Sequence, residues 1–96
     1  MLVRFHSEAE EELVEAEAWY RERSEVAAQA FVGEVERAIR MIAQAPSRGP
    51  RGARGERRFV LKRFPYTILY REREEDVFVT AVAHQSRRPG YWRHRR

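Results

Sequence analysis

The chain contains no cysteine, which removes disulfide bridges and thiolate metal sites at once. Its three histidines, His6, His84 and His94, are scattered and lack the spacing of a zinc or iron motif. No metal and no cofactor are expected. Long apolar runs are missing too, so nothing here reaches the length of a membrane span. Residues 1–12 are charged where a secretion signal would carry an apolar stretch. A cytoplasmic protein without a membrane partner is expected. Lysine is almost absent: Lys62 is the only one among 19 basic residues, the rest being arginine. The planar arginine fork grips phosphates and carboxylates and stays charged when partly buried. Ninety-six residues make one domain, 1–96, with a modest core.

Charge is present but unevenly placed. Residues 1–45 hold ten Glu against five Arg, whereas residues 46–96 hold fourteen Lys and Arg against five acids, giving −5 and +9. The second half therefore suits nucleic acid or an acidic protein partner, and the acids of the first half suit solvated helix faces.

Leu2 to Phe5 forms a short strand candidate. Ser7 with Glu10 three positions later has the form of a capping box opening a helix. Ala9, Leu13, Ala16 and Tyr20 then mark one buried stripe, with Glu8, Glu11, Glu12 and Glu15 facing largely elsewhere. That helix should end near Arg23. Ser24 can cap a second helix whose apolar face is Ala27, Phe31, Val35, Ala38 and Ile42, and which must stop before Pro46. So short a link makes the two helices an antiparallel hairpin. Gly33 inside the second helix costs about 1 kcal/mol relative to alanine unless close helix contact compensates.

Glycine and proline concentrate in residues 46–56, which read as a loop. Arg57 to Arg63 alternates Phe59 and Leu61 against Arg58, Val60 and Lys62, a strand with one buried face. Pro65 interrupts the pairing. Thr67 to Arg71 and Val77 to His84 form a hairpin about Arg73-Glu74-Glu75-Asp76, and the second arm is apolar on both faces, as a central strand would be. The class is α+β: an N-terminal strand, a helix hairpin, then a three-stranded antiparallel sheet. The helices should cover one sheet face and leave the other face and one end for function.

His84 closes the last strand, followed by Arg87-Arg88-Pro89-Gly90-Tyr91-Trp92-Arg93. A lone histidine there is more often structural, bonded to backbone or to Tyr91. Its neighbours change the balance, because Arg87 and Tyr91 follow at once and Arg58, Lys62 and Arg63 belong to a strand of the same sheet. Trp19 and Tyr20 should pack helix on helix, Phe64 and Tyr66 should fill the core between sheet and helices, and Trp92 should cover a core edge. The tail Arg93-His94-Arg95-Arg96 is either a grip on rRNA, DNA or an acidic partner, or a frayed end.

Several of these residues form a pattern. Phe64-Pro65-Tyr66-x-Ile68-x-Tyr70, Ala81-Val82-x-His84, Arg87-x-Pro89-x-Tyr91-Trp92, and Glu15-Ala16-x-x-Trp19-Tyr20 upstream span nearly the whole chain. Together they resemble the RelE/ParE family, toxins of bacterial type II toxin–antitoxin pairs of the plasmid-stabilisation type. The resemblance implies the β-α-α-β-β-β order and an acidic antitoxin that wraps the toxin. It also implies one of two activities. ParE-like members bind and poison DNA gyrase without a catalytic base, and the wording of the motifs leans to that side. RelE-like members cut messenger RNA on the ribosome, which would make Arg63, His84, Arg87 and Tyr91 the catalytic candidates. Histidine or tyrosine would move protons and arginines would stabilise the phosphorane. Arg58, Lys62, Arg88 and Arg93 would bind nucleic acid or another target. Some relatives use a glutamate base near the loop after the second helix. Here residues 46–55 contain no acid, and Glu56 is the nearest alternative.

Overall fold

The computed structural model describes residues 1–96. In chain order it holds β1 (Leu2–Phe5), α1 (Ser7–Arg23), α2 (Glu25–Gln44), a 3-10 turn at Pro46–Arg48, β2 (Arg57–Val60), β3 (Tyr66–Glu72) and β4 (Asp76–His84). The predicted element order is therefore present. The sheet, however, is four-stranded and mixed, with order β1-β4-β3-β2. β1 is an edge strand lying parallel to β4, from Leu2 opposite Asp76 to Phe5 opposite Val79, instead of standing apart from a three-stranded sheet. The helix hairpin between β1 and β4 supplies the crossover that a parallel pair needs.

Sequence chemistry accounts for the helix ends with one change. His6, not Ser7, caps α1: its backbone is extended and its Nδ1 accepts the Glu8 N–H at 3.0 Å. The cause lies in the sheet, because the His6 N–H still bonds the Val79 carbonyl and so makes His6 the last residue held outside the helix. Ser24 serves both helices. Its N–H bonds the Tyr20 carbonyl, and its hydroxyl accepts the Ala27 N–H at 3.1 Å. Gly33 has no close helix contact, since a Cβ built there meets nothing within 4 Å.

The core lies between the helix pair and one sheet face, with Phe31, Ile42, Ile68, Tyr70, Val77, Val79 and Val82 fully enclosed. Tyr20 stacks on Phe31 and meets Phe64 edge-on, and Phe31 also meets Tyr66, as their positions suggest. Trp19 departs from expectation. It is 50% exposed and lies under the Arg23 guanidinium, 3.7 Å from the ring centroid, instead of packing between helices. β4 is buried on both faces as a central strand.

β2 stops at Val60, three residues before the alternation ends. The Glu34 carboxylate on α2 takes the Lys62 and Arg63 N–H groups at 2.7 and 3.3 Å and the Arg63 Nε at 3.2 Å. Lys62 and Arg63 are therefore turn residues. In β4 the pairing shifts: Tyr70 faces Val79 and Leu69 faces Ala81, which leaves Thr80 as an extra, bulged residue. β1 pairing also ends at Val79, so from Thr80 onward the β4 edge is covered by other groups. No helix is long and apolar enough to cross a membrane.

Candidate functional site

The end of β4 and the segment after it build the site. Gln85 N–H reaches the Pro65 carbonyl, Arg87 N–H turns back to the His84 carbonyl, and Gly90 at φ +81° permits the next reversal. The chain then lies on the sheet face away from the helices, where Tyr91 and Trp92 pack on Leu69, Ala81 and Ala83. Trp92 thus covers a core edge, as predicted.

Glu12 of α1 holds this segment in place. Its carboxylate accepts the Tyr91 hydroxyl at 2.5 Å, Arg95 Nη1 at 2.9 Å, Arg95 Nη2 at 3.1 Å and the Val82 N–H at 3.0 Å. Arg87 stands 3.8 Å from the same group. Arg95 Nη1 also donates to the Thr80 carbonyl, so Glu12 and Arg95 together satisfy the β4 edge beyond β1. One expectation fails here, since Glu12 is not a solvated helix-face acid. Of the two readings of the tail, the frayed end does not hold as far as Arg95, which is only 7% exposed. Burial alone would lower the Arg95 pKa. The hydrogen bond and charge of Glu12, with Tyr91 and Glu8 nearby, outweigh it and hold Arg95 above its usual range. Burial, reinforced by the bond to Glu12, pushes the Tyr91 phenol far up.

Two open clefts flank His84, and both are lined by His84 and Arg87. The first, about 410 Å³, is walled by α1 through Glu12, Glu15, Trp19 and Tyr20, and by Pro65 and Tyr66. The second, about 370 Å³, adds Glu56, Arg58, Tyr91, Trp92 and Arg93. His84 Nδ1 accepts the Ser86 N–H at 3.0 Å, and its ring meets Tyr66 edge-on at 5.1 Å. Of the two partners expected for His84, backbone or Tyr91, the backbone is the one found, and Tyr91 is engaged by Glu12 instead. The Arg87 guanidinium lies over the Tyr91 ring, 3.8 Å from its centroid.

Of the sequence-predicted residues, His84, Arg87, Tyr91, Arg58 and Arg93 share one cleft, and buried Glu56 joins them. Arg63 and Lys62 line neither cleft, and Arg63 is paired with Glu34. Arg88 is exposed and also lies outside both. Sequence reasoning missed Glu12 and Glu34. The pattern did carry a signal: each is three residues after and four before a buried stripe residue, Glu12 between Ala9 and Ala16, Glu34 between Phe31 and Ala38. Chemically the second cleft offers an imidazole, a carboxylate and several guanidinium groups, a setting for an anionic partner.

Comparison with known proteins gives this architecture a family. Residues 3–89 match the family described as the ParE toxin of the type II toxin–antitoxin system parDE. The chain belongs to the ParE toxin family. A solved structure described as the chromosomal ParDE TA system from P. aeruginosa shares the fold at a TM-score of 0.75 and 17% identity, over 88% of this chain and 95% of that one. No curated protein matches the sequence significantly. The ParE family match stops at residue 89, just short of the Tyr91 and Arg95 contacts that close the site in this chain.

Proposed function

We propose that this ParE-family toxin acts by binding DNA gyrase, without catalysis of its own, and is neutralised by a cognate acidic antitoxin. The observation that carries the reading is the engagement of two of the four groups a nuclease would need. Tyr91 is tied to Glu12 with its phenol pKa driven up, and Arg63 is held by Glu34 outside the clefts. His84 and Arg87 remain, and they serve docking as well as chemistry. An apolar groove of about 240 Å³, formed by Met41, Ile42, Ala45, Phe59 and Val60 and rimmed by Arg48 and Arg58, fits an antitoxin segment that is both apolar and acidic.

A second reading, ribosome-dependent messenger RNA cleavage, draws on one observation: Glu56, His84, Arg87 and Tyr91 line a single cleft. Induced expression with parallel assays of gyrase supercoiling and messenger RNA integrity separates the two. Inhibited supercoiling with intact messenger RNA is expected. Ribosome-dependent cleavage that His84→Gln abolishes in a folded protein would install the second reading.

A further inference from the structure

A third, smaller cavity of about 100 Å³ lies on the helix-free side, between the loop before β2, the β3–β4 surface and the C-terminal segment. Arginines 54, 71, 93 and 95, Glu56, Thr80 and Trp92 line it. Arg95 is paired with Glu12 and Glu8. Arg54, Arg71 and Arg93 belong to no ion pair within the chain. Three unpaired guanidinium groups against the single Glu56 carboxylate leave two positive charges around one hole.

The polar atoms point the same way. Thr80, 3% exposed on the β4 bulge, has a hydroxyl with no hydrogen-bond partner, and Arg71 Nε is likewise buried and unsatisfied. A buried polar group left unpaired is costly, and such groups are rare in folded proteins. Both belong to residues that line the one cationic hole, and a small local shift of either side chain would bring its free donor to an acceptor there. At about 30 Å³ per water the hole holds roughly three waters, room for a small oxyanion but not for an aromatic ring. It shares Glu56, Trp92 and Arg93 with the second cleft, so a group larger than the anion extends there, onto the Trp92 ring.

We propose that this cavity is a binding site for a phosphate group carrying two negative charges, with Arg71, Arg93 and the Thr80 hydroxyl as its donors. Neither gyrase binding nor antitoxin docking is required for this assignment. The same chemistry belongs to free phosphate and to the terminal phosphate of a nucleotide.

The test is calorimetric titration of the full chain, carrying Trp19→Phe so that Trp92 alone reports by fluorescence. Inorganic phosphate and a nucleoside 5′-monophosphate are compared with chloride at equal ionic strength. Both phosphates should bind and raise Tm, and chloride should not. Thr80→Val should keep or raise the anion-free Tm, since it removes an unsatisfied hydroxyl, yet weaken phosphate binding by about 10-fold. Arg71→Gln and Arg93→Ala should each weaken it by about 10-fold or more. A nucleotide that binds tighter than phosphate and quenches Trp92 assigns the site to nucleotides, and equal affinities without quenching assign it to free phosphate. Equal behaviour of phosphate and chloride overturns the proposal. So does unchanged phosphate affinity in Thr80→Val and Arg71→Gln.

Discussion

Glu12→Ala should be among the most damaging substitutions of an acidic residue in this protein. It deletes the acceptor for the Val82 N–H, the Tyr91 hydroxyl and both terminal nitrogens of Arg95. Arg95 has a side chain only 6% exposed, so the variant leaves a buried guanidinium with Glu8 as its remaining carboxylate, and that one is 46% exposed. Removing one partner of a buried ion pair costs about 3–5 kcal/mol. The stranded Val82 amide adds about 1–3 kcal/mol, reduced where water enters. A total of about 4–8 kcal/mol is a large share of the roughly 5–15 kcal/mol that holds a domain together. Urea unfolding followed by circular dichroism reads this as a lowered midpoint with an unchanged slope. Arg95→Met alone should cost less, because its loss leaves Glu12 with the Val82 and Tyr91 donors, and the double variant should be more stable than Glu12→Ala by itself. A loss below about 1 kcal/mol in Glu12→Ala would refute the account of Glu12 as the clasp.

Three further outcomes follow. Burial raises the phenol pKa of Tyr20, Tyr66, Tyr70 and Tyr91, so the neutral forms are favoured in the fold: stability is fully present below about pH 10 and declines as pH rises toward the higher folded values, and absorbance at alkaline pH should show no ordinary tyrosine titration before unfolding. Burial opposes ionisation of Glu34, but the Lys62 and Arg63 amides and the Arg63 side chain outweigh it and hold the pKa low; its contribution is present above about pH 4.3 and is lost as pH falls, so Glu34→Gln should lower stability at pH 7 and flatten the acid limb of Tm against pH. Gly33→Ala, with free space around the new methyl, should raise stability by up to about 1 kcal/mol, and a loss in chemical unfolding would mean that α2 packs more tightly at that turn.

The elements were legible because local rules and tertiary packing agree in them. Ser24, Pro46 and the alternation at Phe59 and Leu61 act within a few residues, and β4 is apolar on both faces because the helix pair covers one and Tyr91 and Trp92 pack on the other. What the sequence concealed lies in long-range polar pairing. Glu12 and Glu34 resemble solvated helix acids until one knows which amides stand opposite, and those amides are 70 and 28 residues away. The assembled site was half visible. His84, Arg87 and Tyr91 are neighbours in sequence, whereas Arg63 was misplaced because Glu34 ends the strand that was expected to carry it. Trp19 illustrates the remaining limit: an aromatic at helical spacing near the buried stripe still faces solvent when an arginine one turn later covers it.

The parallel pairing of β1 with β4 also governs the order in which the chain can fold. The helix hairpin has its caps and contacts close at hand and can form early. β1, by contrast, has no strand to join until residues 76–79 exist, and Glu12 waits for Arg95, 83 positions further on. Closing such long loops precedes any gain from the contacts they make, which slows folding. No shorter stretch from the N-terminus contains the finished sheet, so the clefts around His84 need residues from both ends of the chain, and a chain interrupted before residue 95 lacks its clasp.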